Sequence, residues 1–335
     1  MRRRHFLLTP LAFAAGCSDR QSRVVLYCAQ DREFAEGLLA EFTRETGLRI
    51  DVKYDTEANK SVALAAELEQ EASHPRCDVH WNNEPLGSVR LARAGVYAPL
   101  PSPLCDPFLA STRPTDRLWQ GFAARARIVI VNTNLLKEPD RPRNLFDLAA
   151  ERFAGRVSIA KPFFGTTATH AAALSANLGL DRTREFFAGL KGNRVNVVAG
   201  NKQVARSVAD GQFAVGLTDT DDALIELRDG KPVAIVFPDA DALGTLFLPN
   251  TVALVKNGPN PAAAHKLVEF LLRAETEKRL AEGGGFQIPL NPSVKADLPT
   301  AILRPTQTRA MEVNYDRAAD AWETTQAMLR ELFAV

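Results

Sequence analysis

Apolar residues along this chain fall into two alternating patterns: short continuous runs, and longer stretches in which they recur every three or four positions. "RVVLYCA" (23–29) is a compact run rich in β-branched residues. "EFAEGLLAEFTRETG" follows it with Phe34, Leu38 and Phe42 at helical spacing before Gly47, so the pair predicts a strand and then a helix. "LRIDVKYD" alternates with period two as a second strand, "KSVALAAELEQEA" reads as a second helix, and "CDVHWNNE" as a third short strand ending in a polar turn. Repeated strand–helix units predict an α/β fold with a parallel sheet covered on both faces. Ligands of such sheets sit beyond the carboxyl ends of the strands. That rule places Gln30, Asp31, Tyr54, Asp55 and Asn82 to Glu84 on one rim.

A second series of the same kind begins at "ARIVIVNTN" (126–134) and continues through "GRVSIAKPFFGTTATHAAALSANLG", "NRVNVVAGNKQVARSVADGQFAVGLTDTDDA" and "VAIVFPD". "GTLFLPNTVALVKNGPNP" then leads into the helix "AAAHKLVEFLLRAETEKRLAE". Two doubly wound sheets joined by extended strands predict two lobes and a hinge, with the hinge near residues 126–132 and 245–255.

Composition adds little to this until the N-terminus is considered. The chain has 335 residues, 46% of them hydrophobic and 24% charged, which is ample for two cores. Residues 1–16, "MRRRHFLLTPLAFAAG", read as an export signal: arginines, a short apolar run, then small residues. "AAGC" has the arrangement of a lipoprotein signal with Cys17 as the lipidated first residue, and "RRHFL" resembles a twin-arginine signal. Taking Arg2, Arg3 and Arg4 off the 41 Lys and Arg leaves the basic count close to the 40 Asp and Glu, so nothing points to nucleic acid as a partner. Outside the cytoplasm Cys28, Cys77 and Cys105 could form one disulfide, with Cys77 and Cys105 the favoured pair and three buried thiols the alternative.

The chemistry concentrates in "LTDTDDA", where Asp219, Asp221 and Asp222 crowd together. Like charges this close need solvent, a helix N-terminus or a cation to remain ionised. "FGTTATHAAAL" opens a helix at Gly165, Thr166 and Thr167, so free N–H groups face the rim.

With "VVLYCAQDREFAEGLLAEFTRETG", "DVHWNNEPLGSVRLARAGVYAPL", "GNKQVARSVADGQFAVGLTD" and "LPNTVALVKNGPNPAAAHKLVEFLL", these stretches resemble the extracellular solute-binding proteins of bacterial ABC importers, in particular the ferric-iron-binding branch. The resemblance implies a type II periplasmic-binding-protein fold. Lobe 1 would hold residues 17–125 and about 247–290, lobe 2 about 126–246 and 291–335, with the ligand between them. It implies a monomer, membrane-anchored through Cys17 in the periplasm, that delivers its ligand to the transmembrane subunits of a permease. Asp31 and Glu84 match metal-ligand positions, and the aspartates Asp219, Asp221 and Asp222 stand where the branch carries adjacent tyrosines. An all-oxygen set suits ferric iron or another hard cation. Thr166, Thr167, Ala168, Asn201 and Arg125 match the positions that grip a phosphate- or carbonate-like anion beside the metal, and Arg127 could replace Arg125.

Plainer readings stand beside these. Asp219, Asp221 and Asp222 could open a helix, Thr166 and Thr167 could cap one, and Asp31 and Glu84 could be solvated loop charges. His170 and His80 read as packing residues, Trp81 as a cleft wall, and Tyr27, Tyr54 and Tyr315 as substitute phenolate ligands. The rival cargoes are a zwitterion such as an aminophosphonate and a polyamine. An exported hydrolase is the rival from another class, although the chain has no G-x-S-x-G and no H-E-x-x-H.

Overall fold

The computed structural model describes residues 23–55, 63–108, 112, 114 and 116–334. The signal expected at 1–16 and the lipid attachment at Cys17 lie outside the described residues. Among those described, no helix is long and apolar enough to cross a membrane.

The first units form as their periodicities predict. Strand β1 (Arg23–Cys28) leads into helix α1 (Arg32–Thr46), which buries Ala35, Leu38, Leu39 and Phe42. The helix stops at Gly47, whose φ of 70° lets its N–H turn back to the Thr43 carbonyl at 2.9 Å. Strand β2 (Arg49–Tyr54), helix α2 (Ala63–Gln70), strand β3 (Val79–Asn82) and helix α3 (Pro85–Arg93) complete the first βα series. After the short strand β4 (Tyr97–Ala98) comes β5 (Gln120–Asn132), thirteen residues buried throughout.

The second series holds β6 (Val157–Ala160), α4 (Gly165–Leu178), α5 (Leu180–Gly192), β7 (Asn196–Val198), α6 (Asn201–Ala209), β8 (Val215–Asp219), α7 (Thr220–Arg228) and β9 (Val233–Val236). Strand β10 (Phe247–Val255) and helices α8 (Pro261–Leu271), α9 (Ala274–Glu282), α10 (Tyr315–Asp320) and α11 (Trp322–Phe333) close the chain.

The strands run in the order β2-β1-β3-β10-β5-β8-β6-β7, with β4 beside β10 and β9 beside β5. β1 is parallel to β2 and β3, and β6 is parallel to β7 and β8, as consecutive βα units require. The sheets are mixed rather than wholly parallel, because β10 is antiparallel to β3 and β5, and β5 is antiparallel to β8 and β9. The physical reason is connectivity: β5 and β10 return the chain without a crossover helix, so they meet their neighbours head to tail.

β5 belongs to both sheets. Its register runs from Gln120 to Ala126 along β10 and from Arg127 to Val131 along β8. Alternation sorts its side chains by face. Ile128 and Ile130 join a core with Phe42, Trp81, Phe122 and Phe270, while Val129 and Val131 join a second around Phe153, Phe186 and Phe187. The fold is thus two-lobed, and among the described strands β5, at the waist, is the one shared by both sheets. Helix α6 lies flush on β8 because Gly216 has no side chain; a Cβ there would stand 2.5 Å from Val204 Cγ1.

Several sequence expectations are corrected by this packing. Trp81 has no exposed surface and tilts against Phe122 in the core, so it walls no cleft. By contrast, His80 packs in the core as the sequence reading has it, with Nδ1 2.6 Å from the Tyr97 hydroxyl. Cys28, Cys77 and Cys105 are buried thiols rather than a bridge, Cys77 in one cluster and Cys105 in another.

Glu277 clamps the waist. Its carboxylate, with no exposed surface, accepts from Ala123 N at 2.6 Å, Leu290 N at 3.0 Å and Asn291 N at 2.9 Å. Burial pushes its carboxyl up, while the three N–H groups pull it down. Glu277→Ala strands those donors and should cost on the order of 3 kcal/mol or more of stability, read as a fall in denaturant midpoint at unchanged slope.

Candidate functional site

The strand ends and helix starts of both lobes converge on one cavity of about 60 Å³. On the usual water-sized measure that is room for a few water molecules, hence for a small ion or group rather than a long chain. β1 contributes Gln30 and Asp31 at its carboxyl end, β6 contributes Lys161, and the start of α4 contributes Thr166 and Thr167. The start of α6 adds Asn201 and Lys202, and the β8–α7 junction adds Asp219, Asp221 and Asp222. One oxygen from each of these three aspartates can be chosen so that all lie within 4.8 Å of one another.

The charge of this cluster is met by arginines. Arg127 stands directly across from Asp219 in the β5–β8 register, and its Nη1 lies 2.7 Å from Asp219 Oδ1. The same Nη1 donates to Asn201 Oδ1 at 3.0 Å and Thr166 Oγ1 at 3.3 Å, while Nη2 donates to Thr167 Oγ1 at 3.3 Å. Thr166 Oγ1 donates to Asp219 Oδ2 at 2.7 Å, and Asn201 Nδ2 reaches the same oxygen at 3.2 Å. Arg125 Nε lies 3.9 Å from Asp219 Oδ2 and 3.7 Å from Asp221 Oδ2. Arg125 is itself held by Asn250 Oδ1 at 3.1 Å and by the Asn83 carbonyl.

These contacts redistribute the roles that the sequence reading gave. Asp219 occupies the N-cap position of α7, yet its side chain makes no capping bond; Asp221 and Asp222 lie in the first turn, where acids favour the helix dipole. Arg127, not Arg125, touches Thr166, Thr167 and Asn201. Ala168 is fully buried behind the cavity, and its N–H is spent on the Phe164 carbonyl at 3.4 Å, inside α4. Asp31 lines the cavity from the first lobe.

Glu84 is the clearest correction, because it does not line the cavity. It is the N-cap of α3, accepting from Leu86 N at 2.7 Å and Gly87 N at 2.7 Å, and it takes the Thr169 hydroxyl of α4 at 2.7 Å. A second tie between the lobes joins Lys202 Nζ to Glu33 Oε1 at 3.4 Å.

Tyr27, Tyr54 and Tyr315 do not line the cavity, and none is poised to ionise. Burial pushes Tyr54 up to about 12 and drives Tyr27 and Tyr315 higher still. His170 is buried and kept neutral, first by burial and then by the charge of Arg127. Lys161 and Gln30 are among the lining residues that had no assigned role in the sequence reading. Lys161 follows a strand without distinctive context. Gln30, visible there only as a rim residue, is 3% exposed with its Nε2 unpartnered.

The sequence profile of the bacterial extracellular solute-binding proteins matches residues 89–307. The chain belongs to that family. It is 25% identical over 301 residues to iron uptake protein A1 of Synechocystis sp., covering 85% of this chain and 82% of that one. It is 24% identical over 301 residues to the major ferric iron-binding protein of Neisseria meningitidis serogroup A, covering 87% and 88%. The fold superposes on iron-bound HitA from Pseudomonas aeruginosa with a TM-score of 0.83 at 20% identity, over 93% of this chain and 99% of that one.

Two outcomes follow from the position of Glu84. Glu84→Ala uncaps α3 and strands Thr169, so it should cost about 2 to 4 kcal/mol of stability, whereas a metal ligand would lose cargo affinity without loss of fold. Burial pushes the Glu84 carboxyl up against the opposing pull of Thr169 and the two N–H groups. The native state therefore takes a proton more readily than the unfolded chain. Stability should fall as pH rises from the ordinary glutamate range to the raised value, and Glu84→Gln should flatten that slope in pH-dependent melts.

Proposed function

We propose that this protein is the binding component of a bacterial ABC importer and that its cargo is ferric iron, captured between the lobes at Asp219, Asp221, Asp222 and Asp31. The observation that carries the reading is the convergence of three carboxylates from the β8–α7 junction, within 4.8 Å, on a small cavity that Asp31 enters from the other lobe. Hard, highly charged cations prefer oxygen ligands of this kind. The iron-binding names of the relatives agree with it, and the cavity is too small for a polyamine.

On this reading closure joins ligands from two lobes around the ion, and the ties Thr169–Glu84 and Lys202–Glu33 hold the closed form. On the same reading residues 17–125 with about 247–290 form one lobe, and about 126–246 with 291–335 the other. The protein acts as a monomer docking on permease transmembrane subunits, anchored in the periplasm by lipid on Cys17. Thr166, Thr167 and Asn201 form a cradle for an anionic group beside the metal.

Asp221→Asn and Asp222→Asn should each weaken ferric iron binding at least tenfold, about 1.4 kcal/mol, while the unliganded protein keeps its melting temperature. Calorimetric titration with ferric nitrilotriacetate, and with 2-aminoethylphosphonate as the rival, decides this. Unchanged iron affinity in both variants, or tighter binding of the phosphonate, would sink the proposal. Separately, Cys17→Ser should move the protein from the membrane fraction to the soluble fraction of the cell envelope.

A further inference from the structure

The cradle at the starts of α4 and α6 already holds an anion, and that anion is a side chain of the protein. Asp219 Oδ1 takes Arg127 Nη1 at 2.7 Å, and Oδ2 takes Thr166 Oγ1 at 2.7 Å and Asn201 Nδ2 at 3.2 Å. Both oxygens of one carboxylate are thus gripped by a guanidinium, a hydroxyl and an amide. Asp219 is 4% exposed, and Arg127 has no exposed surface. Donors of these three kinds around one small polar volume are what an oxyanion such as phosphate or carbonate requires. No oxyanion could enter without displacing Asp219, and displacement would leave the carboxylate to find another partner for its charge in the same small cavity.

We infer that Asp219 is a resident substitute for an external anion, so that this protein holds its cargo without an oxyanion from solution and has an oxyanion site only when Asp219 is removed. This rests on the reading of the cavity as a cation site, but its first test does not. Asp219 then faces the cargo from the cradle in place of the external anion, beside Asp221, Asp222 and Asp31.

The test is chemical rescue. Wild type and Asp219→Ala are titrated with inorganic phosphate by calorimetry, and their ferric iron affinities are compared in phosphate-free and phosphate buffers. Wild type should take up no phosphate, and its iron affinity should be the same in both buffers. Asp219→Ala should bind phosphate, lose that binding when Thr166→Val is added, and recover at least tenfold of its lost iron affinity when phosphate is present. Phosphate binding by wild type that Thr166→Val abolishes would overturn the inference, as would failure of folded Asp219→Ala to bind phosphate. Should Asp219→Ala not fold, Asp219→Ser takes its place, and the wild-type titration decides by itself whether an external anion enters. If neither protein binds iron, the cargo reading fails while the phosphate arm still judges the cradle.

Discussion

A guanidinium with no exposed surface, opposite the carboxylate of the buried Asp219, is the interaction on which the cavity depends. Neither charge could be buried alone, since moving one ion out of water costs several kcal/mol even after the surroundings relax. Arg127 and Asp219 are brought together by backbone register before any side chain chooses a rotamer, because they are direct partners across β5 and β8. Two residues earlier on the same face of the strand, Arg125 extends the positive charge toward Asp221 and is braced by Asn250 of β10. The start of each neighbouring helix then has a fixed target: Thr166 from α4 and Asn201 from α6 both close on Asp219. Loss of one member of such a buried pair typically costs 3 to 5 kcal/mol, so the cluster tolerates little variation in type or position.

This arrangement ties the cargo site to the waist of the molecule. β5 carries both arginines at the point where its pairing passes from β10 to β8, so the strand that joins the lobes also fixes the charge between them. Gly216 and Glu277 act at one remove. The first lets α6 approach β8 closely enough to place Asn201, and the second holds the β5 backbone at Ala123.

Much of this was legible in the sequence, and the illegible part has a common cause. Strand and helix periods marked out the βα units, the strand-end rule put Asp31 on the rim, and the family resemblance implied a shared site for Thr166, Thr167, Asn201, Asp219, Asp221 and Asp222; all of these line one cavity. What a linear pattern lacks is the partner. The sequence reading allowed solvent, a helix end or a cation as the counterweight to the aspartates. The structure supplies arginines about ninety positions away, the Arg127–Asp219 hydrogen bond spanning 92 residues. Glu84 was assigned to the metal, and its neighbourhood held only half of the other reading: Pro85 marks a helix start, but glutamate is not a favoured cap, so its capping of α3 shows only in the structure. The antiparallel β5 and β10 escaped for the same reason as the arginines, since strand direction is decided by the neighbour and not by the run itself.

The arginines also set the terms on which a cation can bind. Arg125 in the cavity wall and Arg127 buried behind Asp219 keep two guanidinium charges beside the aspartates whether or not cargo is present. They relieve the mutual repulsion of Asp219 and Asp221, so closing the empty cavity is not opposed by bare carboxylates. Any arriving cation must then compete for those oxygens with donors already in place. A weakly charged or strongly hydrated ion gains little from that exchange. A small trivalent ion gains most, because its attraction for an oxygen at contact distance scales with its charge while the guanidinium spreads a single charge over three nitrogens. On the proposed cargo, selectivity is therefore set less by the number of carboxylates than by the arginines that the ion has to outbid for them.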